Sequence, residues 1–411
     1  MTTFQTVCAA HEHAVDDPRA VACPVCGSEL TFRYPPGSWD AEPAGEGMWR
    51  QRAWLPLADG HEPVTLGEGA TALVPAVARP AHDGLRVLWK LESLNPSGSH
   101  KDRALSVAVS VAKANGASTV FVASAGSTGL AAAAYAARAG LRCVVLVGAD
   151  ASERRLLPLR LAGATVMRAG GNVDDALNLI GELARTHGLV DLSTRRSGNP
   201  WQAEGPKTIA YELAYELPQP PEVVIVPIGG GGTLASIHRG FGQLRASGEI
   251  DRVPRLVGTQ PATYQTLVRA LDEGLTTDGE LRAAEQQDRP DTVQVKTAHT
   301  FAPDGAEALA AIRATGGTVL AITDEDALRG CLDLAQQDGL WAEPSSGVVI
   351  PAIEQLVADG LVRRGETVVG LVCGNGFREL DAFDATVARD LPPIETLPAD
   401  PTDRLLELAA G

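Results

Sequence analysis

An α/β fold is implied by this chain: two open, mostly parallel sheets flanked by helices, with a small N-terminal ribbon. Its length of 411 residues exceeds the roughly 250–300 at which a single hydrophobic core stops growing, so two domains are expected. From about residue 86, runs rich in β-branched residues alternate with helical runs, the pattern of right-handed βαβ units. The first 26 residues hold three of the six cysteines, in two knuckle-like pairs.

Taken in order, Cys8-Ala-Ala-His11 and Cys23-Pro-Val-Cys26 have zinc-knuckle spacing and make a closed Cys3His set, with His13 as the competing fourth ligand. A closed set has no open position, so a zinc here would be structural; a ribbon without metal or a reactive dithiol are the alternatives. Residues 34–50, YPPGSWDAEPAGEGMWR, read as a linker. RVLWKLES is a strand followed by a helix over 101–114, and STVFVAS a strand followed by a helix over 127–139. RCVVLVG leads to a helix over 152–162, and ATVMRAG to one over 173–187. PKTIAYELAYEL is helical, VVIVPIGGGG runs into a turn and a helix over 233–246, and ETVVGLVCGNG is a buried strand into a glycine turn. The expected division is a ribbon over 1–36, a large domain from 37–97 and 200–390, a small α/β domain over 98–199, and a tail over 391–411.

Composition narrows the function. A net charge of −16 lacks the basic footprint of a nucleic-acid binder. No run of about 18 uncharged apolar residues is present, so no membrane span is expected. The N-terminal stretch has neither the basic head nor the apolar core of a signal peptide, and the remaining cysteines are scattered through apolar runs rather than framed as disulfides. The expected setting is the cytoplasm. The lysines number only five: Lys90, Lys101, Lys113, Lys207 and Lys296.

Open α/β sheets bind ligands beyond the C-terminal ends of their strands, and four polar loops fall there: NPSGSHKDR, SAGSTG, GGGGT and CGNG. The run Gly229, Gly230, Gly231, Gly232, Thr233 joins a strand to a helix; glycines permit close backbone approach, and the helix N-terminus offers free N–H groups to a phosphate. Neither a Walker loop nor the spaced dinucleotide fingerprint is present. The loop Ser124, Ala125, Gly126, Ser127, Thr128 repeats the setting and suits a carboxylate, its hydroxyls also being able to cap the helix. Lys101 follows a Ser/Gly turn at a helix start, where its charged form is disfavoured and its amine can act as a nucleophile. An aldehyde cofactor with a phosphate handle, pyridoxal phosphate, fits the three features together. Lys207, in EGPKT, is the second candidate for its lysine.

The ordered motifs NPSGSHKDR, SAGSTGLAAAAYAARAG, NPWQAEGPKTIAYE, PIGGGGT, WAEPSSG and CGNGFRELD resemble, over about residues 60–385, the threonine-synthase-like group of fold-type II (tryptophan synthase β-like) pyridoxal phosphate enzymes. The resemblance implies that Lys101 carries the cofactor, that Gly229 to Thr233 hold its phosphate, that Cys373 faces its ring nitrogen and that Ser124 to Thr128 take the substrate carboxylate. It also implies a homodimer acting on a small amino acid with a leaving group at the β or γ carbon, O-phosphohomoserine first.

Three departures bear on the substrate. Ser127 stands where the group has an asparagine beside the cofactor's 3′-oxygen. Gln202 stands where an arginine grips the substrate phosphate; losing a charge-assisted bidentate anchor costs on the order of 1.5–3 kcal/mol. His100 precedes Lys101 where an aromatic is common, and can pack or relay protons. The same chemistry on O-phosphoserine, O-acetylserine or another activated amino acid, or a deaminating lyase, is therefore the alternative. A non-catalytic regulator that binds the cofactor or an amino acid is the rival from a different class.

Overall fold

The computed structural model describes residues 4–35, 45–77, 84–149, 151–171, 173–384 and 391, so much of the linker stretch and nearly all of the tail fall outside the described residues. Two compact units are distinguished, Met1–Arg378 and Glu379–Gly411; the candidate site lies in the first. At its start β1 (Gln5–Cys8) pairs antiparallel with β2 (Leu30–Arg33), Cys8 opposite Leu30.

A six-stranded sheet contains β3 (Leu73–Pro75), β4 (Arg86–Lys90), β8 (Val223–Pro227), β9 (Arg255–Pro261), β10 (Thr318–Ile322) and β11 (Thr367–Leu371), in the order β10-β9-β8-β11-β4-β3. All its pairings are parallel except that of β3 with β4. A second, parallel sheet holds β5 (Thr119–Ala123), β6 (Arg142–Val147) and β7 (Thr165–Arg168). The connecting helices include α1 (Lys101–Ala114), α2 (Ser127–Ala139), α3 (Glu153–Leu161), α4 (Val173–His187), α5 (Thr208–Glu216) and α6 (Gly232–Ala246). The α/β class with open parallel sheets is as the periodicity implied. The strands β9 and β10, and helices at Gly305–Thr315, Asp324–Gln337 and Val349–Ala358, extend it through a region that periodicity left unassigned.

Burial on both faces explains the unbroken apolar strands. All five residues of β8 are buried: Val224 and Val226 pack with Ile209, Leu213, Leu234 and Phe241 of α5 and α6. Val223 and Ile225 face Ile350, Ile353 and Leu356 on the other side. Each such side chain contributes roughly 1.5–3 kcal/mol. The strand order has a consequence for the site. β11 lies between β4 and β8, with Val368 opposite both Val87 and Val223, so the loops after these three strands emerge side by side.

Candidate active site

Lys101 begins α1, and its two sequence neighbours hold it in place. The Asp102 carboxylate accepts from the Ser97 N–H at 2.7 Å and from the Ser97 hydroxyl at 2.5 Å, closing the turn before the helix. Arg103, fully buried, makes two paired contacts: Nε and Nη2 each lie 2.7 Å from the Glu92 carboxylate, and Nη1 and Nη2 lie 2.6 and 2.8 Å from that of Glu212. The turn is also zipped to the loop after β11. The His100 N–H donates to the Cys373 carbonyl at 2.9 Å, and the Asn375 N–H to the Gly98 carbonyl at 3.1 Å. Gly98 has φ +86°, and a Cβ there would lie 2.1 Å from Asn375 Nδ2, so only glycine fits.

These contacts set the local electrostatics. Burial lowers the pKa of Lys101, outweighing Cys373, Asp304 and Glu343, which pull it upward. His100 is pushed down to about 3 by burial and by the Lys101 charge, so it is neutral at physiological pH. Its Nδ1 lies 3.3 Å from the Cys373 carbonyl, which can only accept, so Nδ1 carries the proton. Burial, with Glu343 and Glu92, holds the Cys373 thiol well above its ordinary range. The Glu343 carboxylate sits against this loop, 2.7 Å from where a Gly374 Cβ would stand.

The glycine turn after β8 fits a phosphate. Gly231 has φ +92° and precedes α6, and among the described residues the N–H groups of Gly230 to Thr233 have no protein acceptor. Side chains here are excluded by the segment 297–304: a Cβ would meet the His299 ring at Gly229, Pro303 at Gly230, the Asp304 carbonyl at Gly231 and the Asp304 carboxyl at Gly232, 2.4 Å away. Burial pushes that Asp304 carboxyl up to about 7, which lessens its charge beside an anion. The Ser124–Thr128 loop, after β5, is built alike. The Gly126 N–H donates to Ser124 Oγ at 3.0 Å. The N–H groups of Ala125, Ser127, Thr128 and Gly129 have no protein acceptor among the described residues. A ligand with one phosphate and a carboxylate-bearing partner finds uncommitted donors at both loops and an amine at Lys101.

The remaining expected residues have the following settings. Lys207 is fully buried, 2.5 Å from Glu204 Oε2 and over the Tyr34 ring at 4.0 Å. Gln202 is buried in the turn Trp201–Glu204, its N–H on Asn199 Oδ1 at 3.2 Å. The Cys8, Cys23 and Cys26 sulfurs lie within 4.8 Å of one another. The imidazole brought to them is that of His13, Nε2 being 3.2 Å from Cys23 Sγ, while the His11 ring stacks on His13 with centroids 6.4 Å apart. Sequence alone assigns no role to Glu343, Lys296, His299 or Asp304, although Glu343 lies in the motif WAEPSSG and both Glu343 and Asp304 are the residues immediately before helices, Pro344–Gly347 and Gly305–Thr315.

The family model for pyridoxal-phosphate dependent enzymes matches residues 64–374. The threonine synthase of Mycobacterium tuberculosis (strain ATCC 25618 / H37Rv) is 34% identical over 348 residues, 84% of this chain and 91% of that protein. That of Methanocaldococcus jannaschii is 33% identical over 341 residues, 82% of each. Among solved structures, a fungal L-serine ammonia-lyase from Rhizomucor miehei matches with a TM-score of 0.64 at 20% identity, over 77% of this chain and 98% of that one. O-ureido-L-serine synthase matches with 0.61 at 24%, over 77% and 93%. The chain belongs to the pyridoxal-phosphate dependent enzyme family, with the fold-type II architecture. Within it, the chain is a threonine-synthase-like lyase.

Proposed function

We propose that this enzyme converts O-phospho-L-homoserine to threonine. The observation that carries the reading is the likeness to bacterial and archaeal threonine synthases along most of both lengths; the site geometry supports it. Pyridoxal phosphate, when bound, supplies the electron withdrawal that makes the α-proton of an attached amino acid acidic. In this reading the residues act as follows. Lys101, whose pKa burial lowers from its ordinary value, would carry the cofactor and take the α-proton as general base. The N–H groups of Gly229 to Thr233 hold the phosphate handle. Cys373, a neutral thiol, would face the ring nitrogen, and Ser127 would stand beside the ring hydroxyl. Ser124 to Thr128 take the substrate carboxylate. His100, neutral and bonded to the Cys373 carbonyl, keeps the lysine turn on the Cys373 loop.

Gln202 and Ser127 favour a second reading, the same chemistry on O-phosphoserine, O-acetylserine or another activated amino acid. The test is the absorbance of the holoenzyme on adding O-phospho-L-homoserine, with O-phospho-L-serine in parallel and threonine assayed. A spectral shift with threonine formed supports the first reading. A spectrum indifferent to phosphohomoserine contradicts it and leaves the second.

We further propose a structural zinc held by Cys8, His13, Cys23 and Cys26. Tetrahedral thiolates around zinc stand about 3.8 Å apart, and Cys8 Sγ already lies 3.5 Å from Cys26 Sγ. His13 replaces His11 in the set because its ring is the one beside the thiols. The setting proposed is a cytoplasmic homodimer, as the family resemblance implies, without a nucleic-acid partner, the last being supported by the net charge of −16; no helix among the described residues is long and apolar enough to cross a membrane. The division into a large and a small catalytic domain with an N-terminal ribbon is likewise proposed, and the separate six-stranded and three-stranded sheets support it.

A further inference from the structure

We propose that Lys296 is a specificity-determining residue, the cation that receives a second anionic group on the substrate, such as a phosphate ester. The inference rests on reading the Ser124–Thr128 loop as the substrate's anion turn. Lys296 Nζ lies 3.7 Å from the position of a Cβ on Gly126, in the middle of that turn. Its backbone N–H donates to the buried Ser345 hydroxyl at 3.2 Å, so the lysine is fixed from the opposite wall. Arg378 reaches the same turn, Nη2 being 3.5 Å from the Ala125 carbonyl.

Several other cations are held by carboxylates. Lys90 pairs with Glu212 at 2.8 Å and Lys207 with Glu204 at 2.5 Å; Arg195 faces Asp191 at 3.4 Å and Arg196 faces Glu307 at 2.9 Å. What places Lys296 at the turn is the position of its Nζ beside Gly126. A single α-carboxylate is served by the uncommitted N–H groups at the start of α2. Two added cations at the same turn exceed that need and suit a ligand with a second negative group. Gln202 supplies no charge for it, and Lys296 takes the role that an arginine at 202 would have had.

The experiment uses the holoenzyme and the variants Lys296→Gln and Lys296→Arg. The dissociation constant of O-phospho-L-homoserine is read from the absorbance of the bound cofactor, and inorganic phosphate is titrated by calorimetry. L-2-aminobutyrate, which has the α-amino and α-carboxylate groups but no distal anion, is the control. Lys296→Gln is expected to weaken both phosphate-bearing ligands by about tenfold or more and to leave L-2-aminobutyrate within about twofold, while Lys296→Arg retains most of the binding. Parallel weakening of L-2-aminobutyrate, or no weakening of any ligand, overturns the proposal, as does wild-type enzyme that binds neither phosphate compound. Wild-type enzyme that binds the phosphate ester but forms no threonine refutes the proposed reaction and leaves this inference standing.

Discussion

At the scale of single residues, burial depresses the pKa of Lys101 below its ordinary 10.5 although Cys373, Asp304 and Glu343 oppose it. Capture of pyridoxal phosphate by the apoenzyme should therefore accelerate with pH and level off below the ordinary lysine range, as stopped-flow absorbance would show. Between the lowered value and 10.5 the unfolded chain keeps a proton that the folded chain has released. The contribution of Lys101 to stability thus rises with pH through that interval and is lowest beneath it. Asp304 behaves oppositely. Burial pushes it up to about 7, so from its ordinary 3.8 up to about 7 the folded chain holds the extra proton and stability falls as pH rises. Asp304→Asn should accordingly gain stability relative to the wild type between pH 5 and pH 8, by about 1–3 kcal/mol in urea unfolding. Replacing Lys101 with alanine should lower turnover by at least about 10²–10⁴-fold. The lysine was legible because glycine, serine and a helix start surround it in sequence. Lys296 was not, since its partner turn lies far away along the chain and only the folded loops bring them together.

At the scale of elements, the start of α1 depends on a buried charge cluster. Arg103 joins Glu92, before the helix, to Glu212 on α5. Arg103→Met would leave two buried carboxylates without their guanidinium, with Lys90 still beside Glu212. The expected loss is about 3–5 kcal/mol, read as a lower urea midpoint, together with weaker cofactor retention because Lys101 loses its support. Gly232→Ala tests the other wall: its Cβ would stand 2.4 Å from the Asp304 carboxyl, and overpacking of this kind costs about 1–3 kcal/mol. Helices α1, α2 and α4 begin and end where the apolar period indicates, bounded by Gly126, Gly140 and Gly188. The strand β9, RLVGTQP, is different. Gly258 and Gln260 break its apolar run, yet Gly258 is needed beside Ile228, 2.4 Å from a would-be Cβ, and Gln260 is buried with its own hydrogen bonds. Tertiary packing made that strand, and local pattern could not announce it.

At the scale of the whole molecule, the order of the larger sheet creates the site, because the last strand inserts between β4 and β8. That insertion links distant segments and leaves no trace in periodicity, although the loops it assembles were each visible as glycine-rich turns. The ribbon makes a separable prediction. Chelation of the proposed zinc should lower the melting temperature of the β1–β2 region, measured by hydrogen exchange, while cofactor absorbance stays unchanged. The cofactor assignment itself is tested by reducing the holoenzyme with borohydride and mapping the fixed group by mass spectrometry over all five lysines. The account predicts the phosphopyridoxyl group on the peptide containing Lys101 and on no other. The group on Lys207, Lys296, Lys90 or Lys113, or its absence from every lysine of a yellow protein, would contradict it.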